Sequence, residues 1–198
     1  DNGLQGGFGE PRLLSSDVGC VESRSVVNTS LGVFFRSARG YELLTRGQSV
    51  EPIGDPILPT LDAYPVTSAA VLDDRNSLVR ISLAASEDAG TVGGDGVDLI
   101  FDLVLKTWVS VDVKNARAFS ELGDAGEPAQ DARMLRTGGV WRYAWLGVDG
   151  TVYIERDSSD ENAHLDGVNF VDALYELPPI KFGLQQEQRI YNAMVLFE

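Results

Sequence analysis

The chain has 198 residues, of which 43% are hydrophobic and 23% are charged. This length and composition allow one domain of ordinary size, or two small ones, with a buried core, which excludes both a disordered tail and a large multidomain enzyme. The 16 Lys and Arg residues face 30 Asp and Glu, a formal net charge of −14 that excludes general nucleic-acid binding through phosphate neutralisation.

Cysteine and histidine are scarce, which limits both cross-linking and catalysis. Cys20 is the single cysteine and His164 the single histidine, so an internal disulfide and a thiolate-rich metal site are excluded. We interpret Cys20 as a small buried hydrophobe and His164 as a loop residue, because neither has a catalytic partner nearby in the sequence. No apolar run is long enough to predict a membrane span. We expect the sequence to be part of a longer chain.

The first predicted element is a meander of antiparallel strands within residues 12–57. Glycine-containing turns separate short β-branched and aromatic runs, which is typical of hairpins. Four prolines between residues 51 and 65 exclude a central strand there and predict a connection, because proline donates no ladder hydrogen bond. The predicted strands are 25–29, 33–37 and 41–44.

A second meander is predicted within residues 64–113 and a third within 132–156. Polar and apolar residues alternate along 77–83 as in a half-buried strand, and an Asp149-Gly150 turn separates two strands of the third meander. Glycine-rich or polar sequence predicts exposed loop tips, and a last strand region is predicted at 176–198. The tips are 84–97, 120–131 and 157–167.

The recurrence of these meanders predicts the fold class. Four-stranded antiparallel units that repeat every 40 to 45 residues or so are typical of β-propeller blades. We therefore predict an all-β protein in which residues 1–198 form a single propeller segment, with blades near 12–57, 64–113, 132–156 and 176–198. A β-sandwich is the structural alternative.

The sequence offers no catalytic constellation. It contains no Gly-x-Ser-x-Gly nucleophile elbow, and its glycine-rich segment 90–96 lacks the Gly-Lys-Ser/Thr ending of a phosphate-binding loop. We predict no catalytic residues and no cofactor.

Two groups of carboxylates are candidates for a hard cation. Neither matches the twelve-residue calcium loop. We interpret both groups as solvated acidic tips and predict no metal site. The groups are Asp95 with Asp98, and Asp157 with Asp160 and Glu161.

Three aromatic residues, Trp141, Tyr143 and Trp145, alternate along one predicted strand and so point to one face. Such a face is either part of a sheet core or a platform for sugar rings. We interpret it as core, and the sugar platform stays open as the alternative.

The block from Ser25 to Ile57 contains, in this order, a Ser-Val-Val-x-Thr strand, a Gly-to-Leu-Leu meander and an Ile-Gly-x-Pro connector. With these motifs it resembles the tail nozzle, or packaged-DNA-stabilisation, proteins of short-tailed phages. Weaker similarity continues through 98–108, 147–153 and 177–195. The matched positions are Ser25, Gly32, Phe35, Ser37, Gly40, Tyr41, Leu43, Leu44, Ile53, Gly54 and Pro56.

Two residues depart from the family pattern within this block. Glu42 stands between Tyr41 and the leucine pair, and Pro52 stands where the family has an aromatic or polar residue before Ile53. The order of the motif is otherwise kept.

The resemblance implies a non-enzymatic virion structural protein, a propeller module that lines or supports the DNA exit channel, retains packaged DNA and allows its ejection. It implies a ring of identical copies, expected to be a hexamer, which contacts the adaptor, portal and tail fibre proteins and meets double-stranded DNA transiently. The expected location is the phage tail, after assembly in the host cytoplasm. The alternative function is a glycan-binding or glycan-hydrolysing receptor-binding module of a phage tail.

Overall fold

A computed structural model describes residues 13–14, 17–88, 91–112 and 126–155, together with the backbone of residues 165–166 and 169–170. The described chain is mostly β, in antiparallel sheets, and none of these sheets closes into a barrel. No helix in the described ranges is long and apolar enough to cross a lipid bilayer.

The first sheet is a four-stranded meander whose strands pair in chain order. Its strands are β1 (Glu22–Asn28), β2 (Gly32–Ser37), β3 (Gly40–Thr45) and β4 (Val50–Pro52).

The connection predicted for residues 51–65 begins only after Pro52, because Val50–Pro52 form strand β4. It pairs with β3 at the edge of the sheet, with Pro52 opposite Glu42, and an edge strand tolerates a residue without an N–H. A 3-10 turn (Asp55–Ile57) and helix α1 (Leu58–Ala63) then lead to the second sheet. Each carries a proline in its first turn, where a missing N–H costs no hydrogen bond.

The second sheet is also a four-stranded meander in chain order, as predicted for this part of the chain. Its strands are β5 (Val66–Asp73), β6 (Leu78–Asp88), β7 (Thr91–Asp102) and β8 (Thr107–Asp112).

The loop tip predicted at 84–97 is wrong. Residues 84–88 belong to β6 and residues 91–97 to β7, and the two strands stay paired out to Asp88 and Thr91 across one bulge. Glycines weaken a strand but do not prevent backbone pairing. One of them, Gly96, lies where a Cβ atom would come within 2.5 Å of Pro128 Cα, so close packing explains its place in a strand.

The third sheet has three strands, and a short two-stranded pair follows it in the chain. Asp131, at the end of the predicted loop tip 120–131, already begins β9, and β12 lies inside the predicted tip 157–167. The predicted blade at 176–198 lies outside the described residues. The strands are β9 (Asp131–Thr137), β10 (Val140–Leu146), β11 (Val152–Ile154), β12 (Leu165–Asp166) and β13 (Asn169–Phe170).

The main hydrophobic core lies between the first and second sheets. Alternate residues of β6 and β7 point to this side, and Phe34 of the first sheet meets Phe101 edge to face at a centroid distance of 5.0 Å. Leu61 of helix α1 contributes to the same cluster. The buried members from the second sheet are Val79, Ile81, Leu83, Val97, Leu99 and Phe101.

A smaller cluster joins the second sheet to the third. Ala69 and Val71, on the opposite face of β5, pack with Ala132 and Tyr143. The second sheet is therefore covered on both faces, by the first sheet on one side and by the third on the other.

The close approach of the connection to the first sheet gives a testable prediction. A Cβ atom at Gly54 would lie 2.5 Å from the backbone nitrogen of Tyr41, at an ordinary φ of −84°, so Gly54→Ala forces the two backbones apart. We expect Gly54→Ala to lower the free energy of unfolding by about 1–3 kcal/mol in urea denaturation.

Gly19→Ala is the matched control, because a Cβ atom there meets nothing within 4 Å. We expect this variant to stay within about 0.5 kcal/mol of the parent. Equal effects of the two substitutions would contradict the proposed close approach.

Candidate functional site

The positions on which the resemblance rests, called the shared positions below, all lie in the first sheet or in the segment that leaves it. Ser25 shapes β1, where the pairing skips from Glu22 opposite Arg36 to Val27 opposite Phe34. The Ser25 hydroxyl donates to the carbonyl of Glu22 (2.6 Å) and accepts from the backbone N–H of Arg36 (2.8 Å), so a side chain replaces the interrupted ladder.

Two of the shared glycines allow backbones to come close. A Cβ atom at Gly32, whose φ is 150°, would overlap the carbonyl oxygen of Leu44 on the neighbouring strand. Gly54 approaches Tyr41 in the same way. Both positions therefore require glycine for steric reasons.

The other shared positions pack the sheet or end its turns. Ser37 begins the β2–β3 turn, where its hydroxyl accepts from the N–H of Arg39 (3.0 Å). Gly40 follows with a φ of 131°. Pro56 lies in the first turn of the 3-10 segment. Of the apolar shared residues, Phe35 and Leu43 are buried and Leu44 is half-buried.

The two departures from the family pattern face each other, since Glu42 pairs with Pro52 across β3 and β4. The Glu42 side chain is 1% exposed, and its Oε1 atom accepts from the Ser37 hydroxyl at 3.0 Å and from Arg39 at 3.3 Å. The two residues therefore lie opposite each other on a single face of the sheet.

Two shared residues reach the second sheet. The Tyr41 hydroxyl lies 2.7 Å from Thr67 Oγ1, and the indole N–H of Trp108 donates to the carbonyl of Ile53 at 2.6 Å. Tyr41 and Trp108 also meet edge to face, with ring centroids 5.9 Å apart. These contacts fix the first sheet against both edges of the second, because Thr67 is in β5 and Trp108 in β8.

Glu22 strengthens the same junction. Its Oε2 atom accepts from the backbone N–H of Thr67 (3.0 Å) and from Arg36 (3.4 Å), and the same Arg36 nitrogen lies 3.4 Å from Thr67 Oγ1. Sequence reasoning did not single out Glu22 or Thr67, since the contact spans 45 residues of chain and no local pattern signals it.

A buried polar cluster lies between the second and third sheets. The Ser82 hydroxyl donates to Asp98 Oδ1 (2.6 Å), and the Tyr143 hydroxyl donates to Asp98 Oδ2 (3.3 Å). Asp98 is 4% exposed, so its interpretation as part of a solvated acidic tip is wrong, whereas Asp95 is exposed. The reason is the strand structure of 91–98, which carries Asp98 into the interface.

Arg80 extends this cluster toward the surface. Its guanidinium bonds both carboxylate oxygens of Glu155 (3.0 and 3.4 Å), lies 3.9 Å from Asp73 and stands 4.9 Å above the ring of Tyr143. A charged and aromatic contact therefore joins β6 to the end of the third sheet.

Burial changes the titration of two tyrosines at these junctions. Desolvation raises the pKa of Tyr41 well above its usual value of 10.0, against the opposing effect of its hydrogen bond to Thr67. Desolvation, followed by the charge of Asp98, likewise raises the pKa of Tyr143. Both phenols stay neutral in the folded protein through pH 10.

The three alternating aromatics differ in their exposure. Tyr143 is buried, and Trp145 is half-buried in a stack with Tyr143 (5.7 Å) on one side and Tyr153 (5.5 Å) on the other. Trp141 is 48% exposed, so its interpretation as core is wrong. Trp141 lies near the start of β10. Arg75, in the turn between β5 and β6, donates a hydrogen bond to the Trp141 carbonyl at 3.2 Å.

An open groove of about 330 Å³ follows the first strands of the sheets. Strand β5 contacts β1 on one side and β9 on the other, so the leading edges of all three sheets meet here. Charges of both signs are present, and Arg24 pairs with Glu87 at 3.5 Å. The lining residues are Arg24, Ser68, Ala69, Ala70, Gln130 and Asp131.

The remaining candidates are Cys20, His164 and the acidic tract 157–161. Cys20 is exposed rather than buried as predicted, because it precedes β1 and lies outside the sheet, where its thiol donates to the carbonyl of Glu22 at 3.1 Å. His164 and the acidic tract 157–161 lie outside the described residues. Within the described part of the chain, no group of three or more His, Cys, Asp and Glu side chains is arranged to hold a metal ion.

The two buried phenols predict a loss of stability at alkaline pH. The unfolded chain releases its phenolic protons near pH 10, whereas the folded chain retains those of Tyr41 and Tyr143. Their contribution to stability is therefore complete below pH 10 and is lost as the pH rises above it. We expect urea midpoints to fall above pH 10, and to fall less steeply in Tyr41→Phe and Tyr143→Phe.

Ultraviolet titration of the phenols is the direct readout. In the folded protein, Tyr41 and Tyr143 are expected to ionise only as the chain unfolds. Ionisation of all six tyrosines near pH 10 without unfolding would contradict the burial of these two hydroxyls.

The contacts of the shared residues are thus structural, since they shape strands, permit close backbone approach or join sheets. No family model and no curated protein matches this chain. Its function is therefore argued from geometry, charge and the resemblance of the Ser25 to Ile57 block.

Proposed function

We propose that this protein is a non-enzymatic structural component of a phage tail, a β-propeller segment of the tail nozzle. The observation that carries the proposal is the order of contacts at the groove, where the first strand of the first sheet contacts the first strand of the second, and that strand contacts the first strand of the third. Each meander then runs away from that edge in chain order. Propeller blades have this arrangement, with their first strands around a central channel.

The two-sided burial of the second sheet supports a propeller over a sandwich. In a two-sheet sandwich each sheet has one covered face and one exposed face. Here Ile81 and Leu99 pack toward the first sheet, while Val71 and Asp98 contact the third. Serial packing of three sheets is what neighbouring blades require.

The charge distribution supports a conduit that does not retain DNA tightly. A formal charge of −14 repels phosphates, and Arg24 at the groove is paired with Glu87. Each phosphate neutralised by a free cation would slow the passage of DNA. In the proposed ring of copies, the first strands line or support the channel, and the outer strands and turns contact the adaptor, portal and fibre proteins.

Exposed Trp141 favours the alternative, a glycan-binding module of a phage tail, because an exposed indole face stacks on sugar rings. The other two tryptophans support the structural function. Trp108 packs against Tyr41 and Phe101, and Trp145 is stacked between two tyrosines. Saturable quenching of tryptophan fluorescence by an oligosaccharide, abolished in Trp141→Ala, would support the glycan function.

Negative-stain electron microscopy of the full-length protein tests the proposed assembly. We expect symmetric rings with a central hole, six-fold in the simplest case, at concentrations at which a virion component assembles. Dispersed particles in the presence of purified adaptor protein would contradict the nozzle proposal.

A gel-shift experiment tests the charge argument. At physiological salt we expect no retardation of duplex DNA at micromolar protein, because the net charge is negative and the groove cation is paired. A basic DNA-binding protein of similar size serves as the positive control. Tight binding that weakens steeply as salt rises would contradict a repelling channel.

A further inference from the structure

Two adjacent aliphatic side chains, Val104 and Leu105, protrude into solvent at the turn between β7 and β8. Their exposures are 75% and 66%. Leu103, just before them, is buried in the main core, so the turn is anchored at its base while its tip lies outside the protein. Turn tips are normally built from Gly, Pro, Asn, Asp or Ser. An exposed aliphatic pair at such a tip therefore indicates a contact surface.

The turn is held in one conformation by hydrogen bonds. Asp102 Oδ1 accepts from the backbone N–H of Val104 (2.7 Å) and from that of Leu105 (2.8 Å). The N–H of Leu103 donates to the carbonyl of Ser77 in the β5–β6 turn at 2.9 Å. These N–H groups are thus satisfied within the protein, and none loses its partner when the tip leaves water.

The β5–β6 turn connects this tip to an exposed indole ring. Its Ser77 bonds to Leu103, and its Arg75 donates to the Trp141 carbonyl at 3.2 Å. Trp141 is 48% exposed, and Arg136 is its cross-strand neighbour on β9. We call the exposed part of this region the turn surface, and its members are Arg75, Val104, Leu105, Lys106, Arg136 and Trp141.

The charge of the turn surface differs from that of the whole chain. Its arginines and lysine are exposed near Asp74 and Asp102, so that cations and carboxylates are nearly balanced there, whereas the chain carries a formal charge of −14. The opposite ends of β6 and β7 carry the exposed carboxylates Asp88 and Asp95. A surface with negative headgroups repels those ends and admits the turn surface.

A lipid bilayer fits the turn surface better than a second protein does. The aliphatic tip is convex and consists of two side chains, whereas a stable protein interface buries about 800 Å² on each partner. Aliphatic side chains enter the acyl boundary of a bilayer, an indole ring prefers the headgroup region, and cationic side chains pair with phosphates. The turn surface offers all three kinds of group.

We propose that the turn surface is a phospholipid-contact site. Val104 and Leu105 enter the acyl boundary of a bilayer, Trp141 lies among the headgroups, and the cations meet the headgroup phosphates. This is a reversible surface contact and not a membrane span. It goes beyond the structural function proposed above, because it depends neither on propeller geometry nor on ring assembly.

Flotation of the full chain with phospholipid vesicles tests this site. One set of vesicles is pure phosphatidylcholine, and the other contains about one-third phosphatidylglycerol. The variant is Val104→Ser with Leu105→Ser, which keeps the hydrogen bonds of the turn because these use only the backbone of the two residues. The matched control is Val26→Ser with Val111→Ser, since these valines are 49% and 52% exposed and lie outside the turn surface.

We expect the parent and the control to float with both sets of vesicles, and more strongly with the anionic set. The bound fraction of the double variant should fall about fivefold or more, because the inserted apolar area is lost. Urea denaturation shows that each variant is folded, and the single Val104→Ser variant repeats the test if the double variant is not. Absence of flotation of the parent, or equal flotation of the parent and the double variant, overturns the proposal.

Vesicles with brominated acyl chains test the orientation, because bromine quenches nearby tryptophans. We expect quenching in the parent and its loss in Trp141→Phe, since Trp108 and Trp145 are packed against other aromatic rings. Equal quenching in the two proteins overturns the proposed orientation of the site.

A second copy of the chain is the competing occupant of the turn surface. In that case light scattering gives a dimeric parent and a monomeric double variant, and neither floats with vesicles. This result overturns the proposal. The flotation uses no adaptor protein and the microscopy uses no lipid, so the outcomes of the two experiments are distinguishable.

Discussion

Successive side chains of β6 and β7 point alternately toward the first sheet and toward the third sheet. The rest of the structure depends on this separation of the side chains onto two faces. Ile81 and Leu99 belong to the apolar set, while Ser82 and Asp98 belong to the polar one. A shift of one residue in either strand would exchange the two sets. The second sheet therefore sets the positions of both neighbours and brings the three leading strands to one groove.

The two interfaces that result are chemically different. The first is a broad apolar core closed by helix α1, with tyrosine and tryptophan hydrogen bonds at its two edges. The second has a smaller apolar cluster and a buried polar group in which Asp98 receives bonds from Ser82 and Tyr143. Burial of apolar area stabilises the first, whereas the second depends on satisfied polar partners, since an unpaired buried carboxylate is costly.

The strands could be predicted from the sequence where turns and alternation coincide, as in 25–44 and 139–154. The strand pairing of 84–97 could not be predicted from the sequence. Its glycines are typical of a turn, whereas pairing uses only backbone groups and needs no side chain. Alternation with Tyr143 predicts a core position for Trp141, but alternation shows only which face a side chain is on and not how far the neighbouring sheet extends over it. The junction of Glu22 with Thr67 and the pairing of Asp98 with Tyr143 join residues 45 positions apart, and such contacts leave no local signal. The residues that carry the resemblance lie in the first sheet and in the segment that leaves it. The structure shows the contacts by which these residues hold that sheet together.

Nuclear Overhauser contacts in a methyl-labelled sample test most directly whether the second sheet is packed on both faces. The account predicts contacts from Ile81 and Leu99 methyls to Phe34 or Leu43, and, in the same sample, contacts from Val71 methyls to Tyr143 or Ala132. Both sets at once place a sheet on each side of the second sheet. Contacts on the Phe34 side alone, with Val71 exposed to solvent, would contradict serial packing and would return the fold to a two-sheet sandwich.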